Sequence, residues 1–166
     1  MEAITERDIR ASFVNCSKGE AKRLGLPKDF AELPWPDLDF LGWRDPGAPE
    51  RAYLVSQGEG GLVGIALGSG NGGRSGNFTQ RSMCSLCLST HTAGGVALMT
   101  ARRAGEAGRQ GNTVGAYICA DLACSLYLRG KKQAMADGPE ESLTTEEKAA
   151  RTMVNLAGFL DKVLTS

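Results

Sequence analysis

Cys84-Ser-Leu-Cys87 and Cys119-Ala-Asp-Leu-Ala-Cys124 hold four of the chain's five cysteines, and how these two pairs fold decides the rest. A C-x2-C turn lets two sulfurs converge on one cation at about 2.3 Å, and a second pair closes the tetrahedron. The second pair is wider. Residues five apart on an α-helix are rotated by roughly 140°, so they cannot face one ion from a single helix. Cys119 is therefore expected before a helix and Cys124 in its first turn. Asp121 is the candidate N-cap, which puts Cys124 at the third helical position, where the helix dipole favours a thiolate.

The flanks extend this reading. Residues 114–118 (Val-Gly-Ala-Tyr-Ile) predict a strand leading into Cys119. Leu122, Leu126 and Tyr127 supply the buried stripe of the helix, and Gly130 stops it. Between the pairs, residues 95–101 look extended and 103–112 form a Gly/Arg-rich loop. Knuckle, β-hairpin and short helix together describe a treble clef, with zinc held by Cys84, Cys87, Cys119 and Cys124. Ordinary buried cysteines would behave as small hydrophobes, and a redox C-x-x-C would open a helix after a βα unit. Two pairs, each at an expected turn, argue for metal over both. His91, four residues beyond Cys87, competes as a ligand, although four thiolates already complete the set.

At 166 residues, 42% hydrophobic and 23% charged, the chain has the make-up of a globular protein with one real core. An α+β fold is expected, as a single domain over 1–166. It comprises a helical, Pro/Trp-rich wrap over 1–50, antiparallel strands and the zinc finger over 51–132, and a docking C-terminal helix over 140–166. There is no run of about 18 apolar residues and no leader with a basic start and apolar centre, so neither a membrane span nor secretion is expected. Clustered cysteines suit a reducing cytoplasm with metal better than a disulfide scaffold. Cys16 is left over, expected half-buried on an N-terminal helix.

Thr5 with Asp8, and Ser17 with Glu20, read as helix starts, the first with Ile4 and Ile9 placed as a hydrophobic staple. The first helix should run over 6–15, burying Ile9, Phe13 and Val14; the second should end at Gly25. Residues 27–49 are too rich in proline for a regular helix and too apolar for a free linker, so an ordered crossover is expected. Trp35 and Trp43 belong to its packing, with a base-stacking platform as the rival use. Strands over 52–56 and 62–67 form a hairpin, and a third near 77–82 leads into the first cysteine pair. Residues 68–75 read G-x4-G-R-S, one residue short of a P-loop. Arg74 replaces the phosphate lysine and no helix signal follows, so a flexible connection is expected. Thr144 and Glu147 form a capping box for a helix whose stripe is Ala149, Met153, Leu156, Leu160 and Val163.

The net charge of zero conceals a partition. Lys/Arg against Asp/Glu count 8 to 11 over 1–73, 8 to 2 over 74–132 and 3 to 6 over 133–166. A basic finger between acidic flanks points to an anionic partner such as RNA or the ribosome. Equally, the cations offset the charge of about −2 on a Zn(Cys)4 centre. One histidine, no base beside Cys16 and no carboxylate dyad leave catalysis without sequence support, so an enzyme is not expected.

These residues resemble the family of FBP domain proteins, grouped with the fusidic-acid-resistance proteins that bind elongation factor G. The resemblance rests on Cys84-x2-Cys87, the long spacer, Tyr117-Ile-Cys119-x4-Cys124 and the following Ser-Leu-Tyr-Leu-Arg-Gly130. Actinobacterial members look similar over nearly the whole chain, including the Asn15-Cys-Ser-Lys-Gly-Glu-Ala21 start and the Asn155-Leu-Ala-Gly-Phe-Leu160 end. The resemblance implies binding of elongation factor G, the ribosome, or both. The resistance proteins have His where Cys119 stands, an aromatic where Ser85 stands, and a helical-bundle N-terminal domain that the mixed pattern here does not reproduce. The expected function is a non-enzymatic, zinc-stabilised protein that meets translation machinery through a basic finger face. Its candidate contacts are Arg102, Arg103, Arg109, Arg129, Lys131 and Lys132. Direct RNA binding is the alternative.

Overall fold

The computed structural model describes residues 1–69, 81–92, 94–134 and 141–165. Helix α1 (Glu6–Ala11) opens with the Thr5 hydroxyl accepting from the Asp8 amide, and α2 (Lys18–Arg23) with Ser17 accepting from Glu20. Both caps follow the sequence reading. Helix α1 stops short of the predicted 6–15 because the chain extends after Ser12 and pairs with Gly64. The Val14 amide donates to the Gly64 carbonyl and the Gly64 amide to Ser12, both at 2.9 Å. Extended residues alternate sides, so Phe13 and Val14 enter different cores rather than one helix face. Helix α2 ends at Arg23, before Gly25, and Arg10 takes its free carbonyls, donating to Ala21, Lys22 and Leu24 at 2.9 to 3.0 Å.

The crossover holds two 3-10 turns, Phe30–Glu32 and Trp35–Asp37, and then a strand that the proline count hid, β1 (Leu41–Asp45). Trp43 is buried and its indole donates to the Gly25 carbonyl at 2.8 Å, so it packs rather than stacks on a ligand. Strands β2 (Ala48–Gly58) and β3 (Gly61–Ser69) form the expected hairpin. Gly58 pairs with Gly61, whose φ of +122° suits glycine, leaving Glu59 and Gly60 as a two-residue turn. The strand predicted near 77–82 lies mostly outside the described residues. Its described end, Ser82, belongs to β4 (Ser82–Met83), which pairs with β5 (Thr90–His91).

Strands β6 (Val96–Arg102) and β7 (Thr113–Cys119) form the second hairpin, and the loop between them contains a short helix, α3 (Gly105–Arg109), not foreseen from its glycines. Helix α4 (Cys124–Leu128) follows, and α5 (Thr145–Leu164) ends the chain with the predicted Thr144/Glu147 capping box in place. The large sheet is antiparallel in the order β1-β2-β3-β6-β7, so the second hairpin continues the first.

Period-two alternation assigns the faces. Ala52, Leu54, Ile65, Leu67, Met99 and Ile118 bury one side beneath Leu156, Phe159, Leu160 and Val163 of α5, together with the four clustered cysteines. Full burial of Leu156 or Val163 contributes about 1.5–3 kcal/mol each. The other side buries Leu41, Trp43, Tyr53 and Val55 with Ile9, Ala21 and Leu24 from the N-terminal helices. Among the described residues that second layer does not extend across β6 and β7, where Leu98 and Tyr117 remain exposed.

Candidate metal centre

The knuckle Cys84–Cys87 lies between β4 and β5. The Leu86 amide points at the Cys84 sulfur from 3.3 Å, and the Leu88 amide closes the turn on the Cys84 carbonyl at 3.0 Å. The Ser85 amide docks the knuckle on edge strand β7 through the Tyr117 carbonyl at 2.7 Å. Cys119 is the last residue of β7 and Cys124 the first of α4. The second pair therefore straddles a strand-to-helix junction, as its spacing requires. Asp121 is not the N-cap, which is Ala123. Its carboxylate instead accepts from the Ala123 amide at 3.1 Å and from the Tyr127 hydroxyl at 2.8 Å, and pairs with Lys132. Burial pushes the Asp121 carboxyl up, but Lys132, the Ala123 amide and Tyr127 together hold it below the ordinary range.

The four sulfur atoms lie within 4.8 Å of one another, and all four residues are buried. Cys84 and Cys124 sulfurs are 3.7 Å apart, and Cys87 and Cys119 sulfurs 3.5 Å. Four thiolates at about 2.3 Å from one zinc stand about 3.8 Å from each other, whereas a disulfide needs about 2.05 Å. All four are free thiols. Their crowding also fits a cation. Hydrogen bonds from Cys119, Cys124 and Cys87 hold the Cys84 thiol down, while Cys124 is pushed well up by hydrogen bonding with Cys119, Cys84 and Cys87 and by burial. Thiolates this close cannot all ionise unaided, and zinc removes the conflict.

Backbone strain falls at the same place. Among the described residues the positive-φ non-glycines are Leu88 at 61° and Leu122 at 56°. One follows Cys87 directly and the other sits inside the second pair. A left-handed L-residue costs about 1–2 kcal/mol, so both loops hold their shape against local preference. Leu122 itself is buried, although ahead of the helix whose stripe it was expected to begin. Gly130, at φ 70°, ends α4 as predicted, with its amide on the Tyr127 carbonyl and that of Lys131 on Leu126.

His91 does not complete the ligand set. Its Nε2 lies 3.4 Å from the Cys119 sulfur, and its buried ring meets Tyr127 edge-on at 4.7 Å. With a thiolate as acceptor, the Nε2–H donates and orients the ligand. Residue spacing alone had posed His91 as ligand or bystander, and its contact with sulfur is a third role.

The six basic candidates divide. Arg129 makes a two-pronged pair with Asp39 at 2.7 and 3.0 Å. Arg103 donates to the carbonyls of Lys162 and Thr165, both at 2.7 Å, closing the end of α5. Lys131 pairs with Asp37 at 2.8 Å, Lys132 with Asp121, and Arg109 with Glu106 at 3.1 Å. Arg102 is exposed, with no side-chain hydrogen bond or ion pair among the described residues. Acidic crossover and basic finger thus partly neutralise each other. Cys16 is half-buried as expected, but in the segment between α1 and α2 rather than on a helix.

A knuckle, a hairpin and a helix gathered around four buried thiols define a treble-clef zinc-finger protein. The chain matches the family described as FBP C-terminal treble-clef zinc-finger over residues 8–163, and it belongs to that family. The matched span takes in the N-terminal helices and α5 as well as the finger. No curated protein and no solved structure matches the chain. Among the described residues no helix is long and apolar enough to cross a membrane.

Proposed function

We propose that this protein is a non-enzymatic binding module that attaches to translation machinery, elongation factor G and/or the ribosome, through its zinc finger. The observation that carries the reading is the outer face of the β6–β7 hairpin, which no described element covers. There Leu98 and Tyr117 are cross-strand partners, 46% and 56% exposed, and Arg102 lies further along the same face of β6. Tyrosine and arginine around an apolar centre are what interface cores favour. Arg109, Lys131 and Lys132 remain available to an anionic partner, since exposed ion pairs exchange partners at little cost. Arg103 and Arg129 belong to the fold and serve the surface only indirectly.

Purified ribosomes and elongation factor G, each mixed with the zinc-loaded protein at low and high salt, test the reading. Retention at low salt, weakened at high salt and lost in a Leu98→Asp/Tyr117→Asp variant, is expected. Retention of neither target rejects it. The exposed Tyr117 ring on a face shared with Arg102 also suits base stacking. Direct RNA binding is therefore the second reading, and a mobility shift with bare RNA that vanishes in Tyr117→Ala would replace the first.

A further inference from the structure

On the face of the sheet opposite α5, a cavity of about 530 Å³ opens between α2 and the strands, within the range of about 300–1,000 Å³ usual for ligand sites. Its floor is made of small side chains. Gly68 on β3 pairs with Arg51 on β2 and with Thr100 on β6, and having no side chain it leaves a slot between them. Asn15 holds this end of the sheet open. Its amide donates to the Ala66 carbonyl at 2.9 Å and the Arg102 carbonyl at 3.0 Å, and accepts from the Ala66 amide at 2.7 Å. It stands where the β3–β6 pairing ends, at Leu67 and Ala101.

Three arginines from separate elements line this space: Arg23 from the last turn of α2, Arg51 from β2 and Arg102 from the end of β6. None of the three side chains makes a hydrogen bond or ion pair among the described residues. Two carboxylates share the lining, Glu20 and Asp45; Asp45 is already engaged by the Tyr53 hydroxyl at 2.7 Å and the amides of Gly25 and Gly47 at 3.1 and 2.9 Å. Arg129, Lys131 and Lys132, by contrast, each have a carboxylate. Three arginines around one cavity outnumber its two carboxylates, and arginine forks without a bound partner are suited to phosphate oxygens, which they bind two at a time.

We propose that this cavity binds a phosphorylated small molecule of about mononucleotide size, its phosphates held by Arg23, Arg51 and Arg102 and its organic part against Leu24 and Tyr53. The site shares Arg102 with the edge of the proposed partner surface, but its test involves no partner, so failure of one reading is distinguishable from failure of the other. Cys16 lines the cavity and is the one cysteine outside the metal cluster, so its alkylation by neutral iodoacetamide, followed by intact mass, reports occupancy. The zinc-loaded full chain is treated alone, with inorganic pyrophosphate, with ADP, or with sodium chloride at matched ionic strength. At ten times Kd the alkylation rate should fall roughly tenfold with ligand and not with chloride. An Arg23→Gln/Arg51→Gln variant, with zinc content and circular dichroism unchanged, should lose the protection. Protection by pyrophosphate locates recognition in the phosphates, and protection by ADP alone adds the organic part; either supports the site. Calorimetric titration of the same ligands needs no reactive thiol. Absence of binding heat with both, or equal protection of the double variant, overturns the proposal.

Discussion

Arg129, at the C-terminal end of the finger helix α4, grips Asp39 of the N-terminal crossover with both Nη atoms, across a separation of 90 residues. Both side chains are largely buried, 18% and 12% exposed. The pair ties the finger to the layer that wraps the opposite face of the sheet, with Ser125 completing the junction through the Asp39 amide at 2.9 Å.

Removing one partner leaves the other charge partly desolvated. Arg129→Ala is expected to cost about 2–3 kcal/mol, less than the 3–5 of a fully buried pair, measured by urea unfolding of the zinc-loaded protein. Asp39→Asn should cost somewhat less, since the amide can still accept a hydrogen bond.

The same pair sets a pH dependence. Burial raises the Asp39 carboxyl, but hydrogen bonds from Arg129 and Ser125 and the Arg129 charge outweigh it, so the folded value lies below the ordinary one. A depressed carboxylate contributes stability that is full above its unfolded value of about 3.9 and is lost as pH falls through the folded value. The stability gap between wild type and Asp39→Asn should stay constant from pH 7 to pH 5 and narrow below about pH 4. A gap that closes already between pH 7 and 5 would assign the effect to another group.

Metal should hold more than the finger, because β6 and β7 share one sheet with β1–β3 and the cysteines share one core with α5. We expect about one zinc per chain and loss of cooperative unfolding on strong chelation. Cys84→Ser or Cys124→Ser should lose the metal, while Cys16→Ser should retain it. Metal analysis with circular dichroism before and after chelation measures both.

His91→Ala should leave the zinc count unchanged and weaken affinity by about 10- to 100-fold, the usual effect of removing a hydrogen bond to a ligand. Competition against a chromophoric chelator reads this directly. An unchanged affinity would make the 3.4 Å contact with Cys119 mere packing.

Gly42 of β1 touches the second cysteine loop so closely that a methyl group there would lie 2.7 Å from the Leu122 Cβ and 3.3 Å from the Leu122 carbonyl. Leu122 is already left-handed and cannot easily retreat. Gly42→Ala should destabilise by about 1–3 kcal/mol and loosen zinc, whereas Gly60→Ala, which meets nothing within 4 Å, should be nearly neutral. Thermal unfolding of the two variants distinguishes a specific contact from a general intolerance.

Local features were legible because short-range physics dictates them. The Thr5, Ser17 and Thr144 caps, the β2–β3 hairpin, the Gly130 stop and the placement of Cys119 before a helix all follow from spacings of a few residues. The α5 stripe was visible too, though Thr152 and Phe159 are buried beside Leu156, Leu160 and Val163 and were not foreseen. Errors arose where a tertiary contact overrode the local signal. Helix α1 ends early because Gly64 pairs with the extended chain, and β1 forms among prolines because β2 offers it an edge. Asp121 gives up capping for Tyr127 and Lys132.

By itself the sequence determined the donor set, the finger class and the unequal distribution of charge along the chain, because ligand type, turn spacing and residue count are properties of neighbours. Only the tertiary structure decided where the charges go. Arg129 meets Asp39 and Lys131 meets Asp37 across separations of 90 and 94 residues, Arg103 turns to the end of α5, and Arg23, Arg51 and Arg102 gather around one cavity. Long side chains reach partners set by sheet order and layer packing, and no local pattern encodes that order.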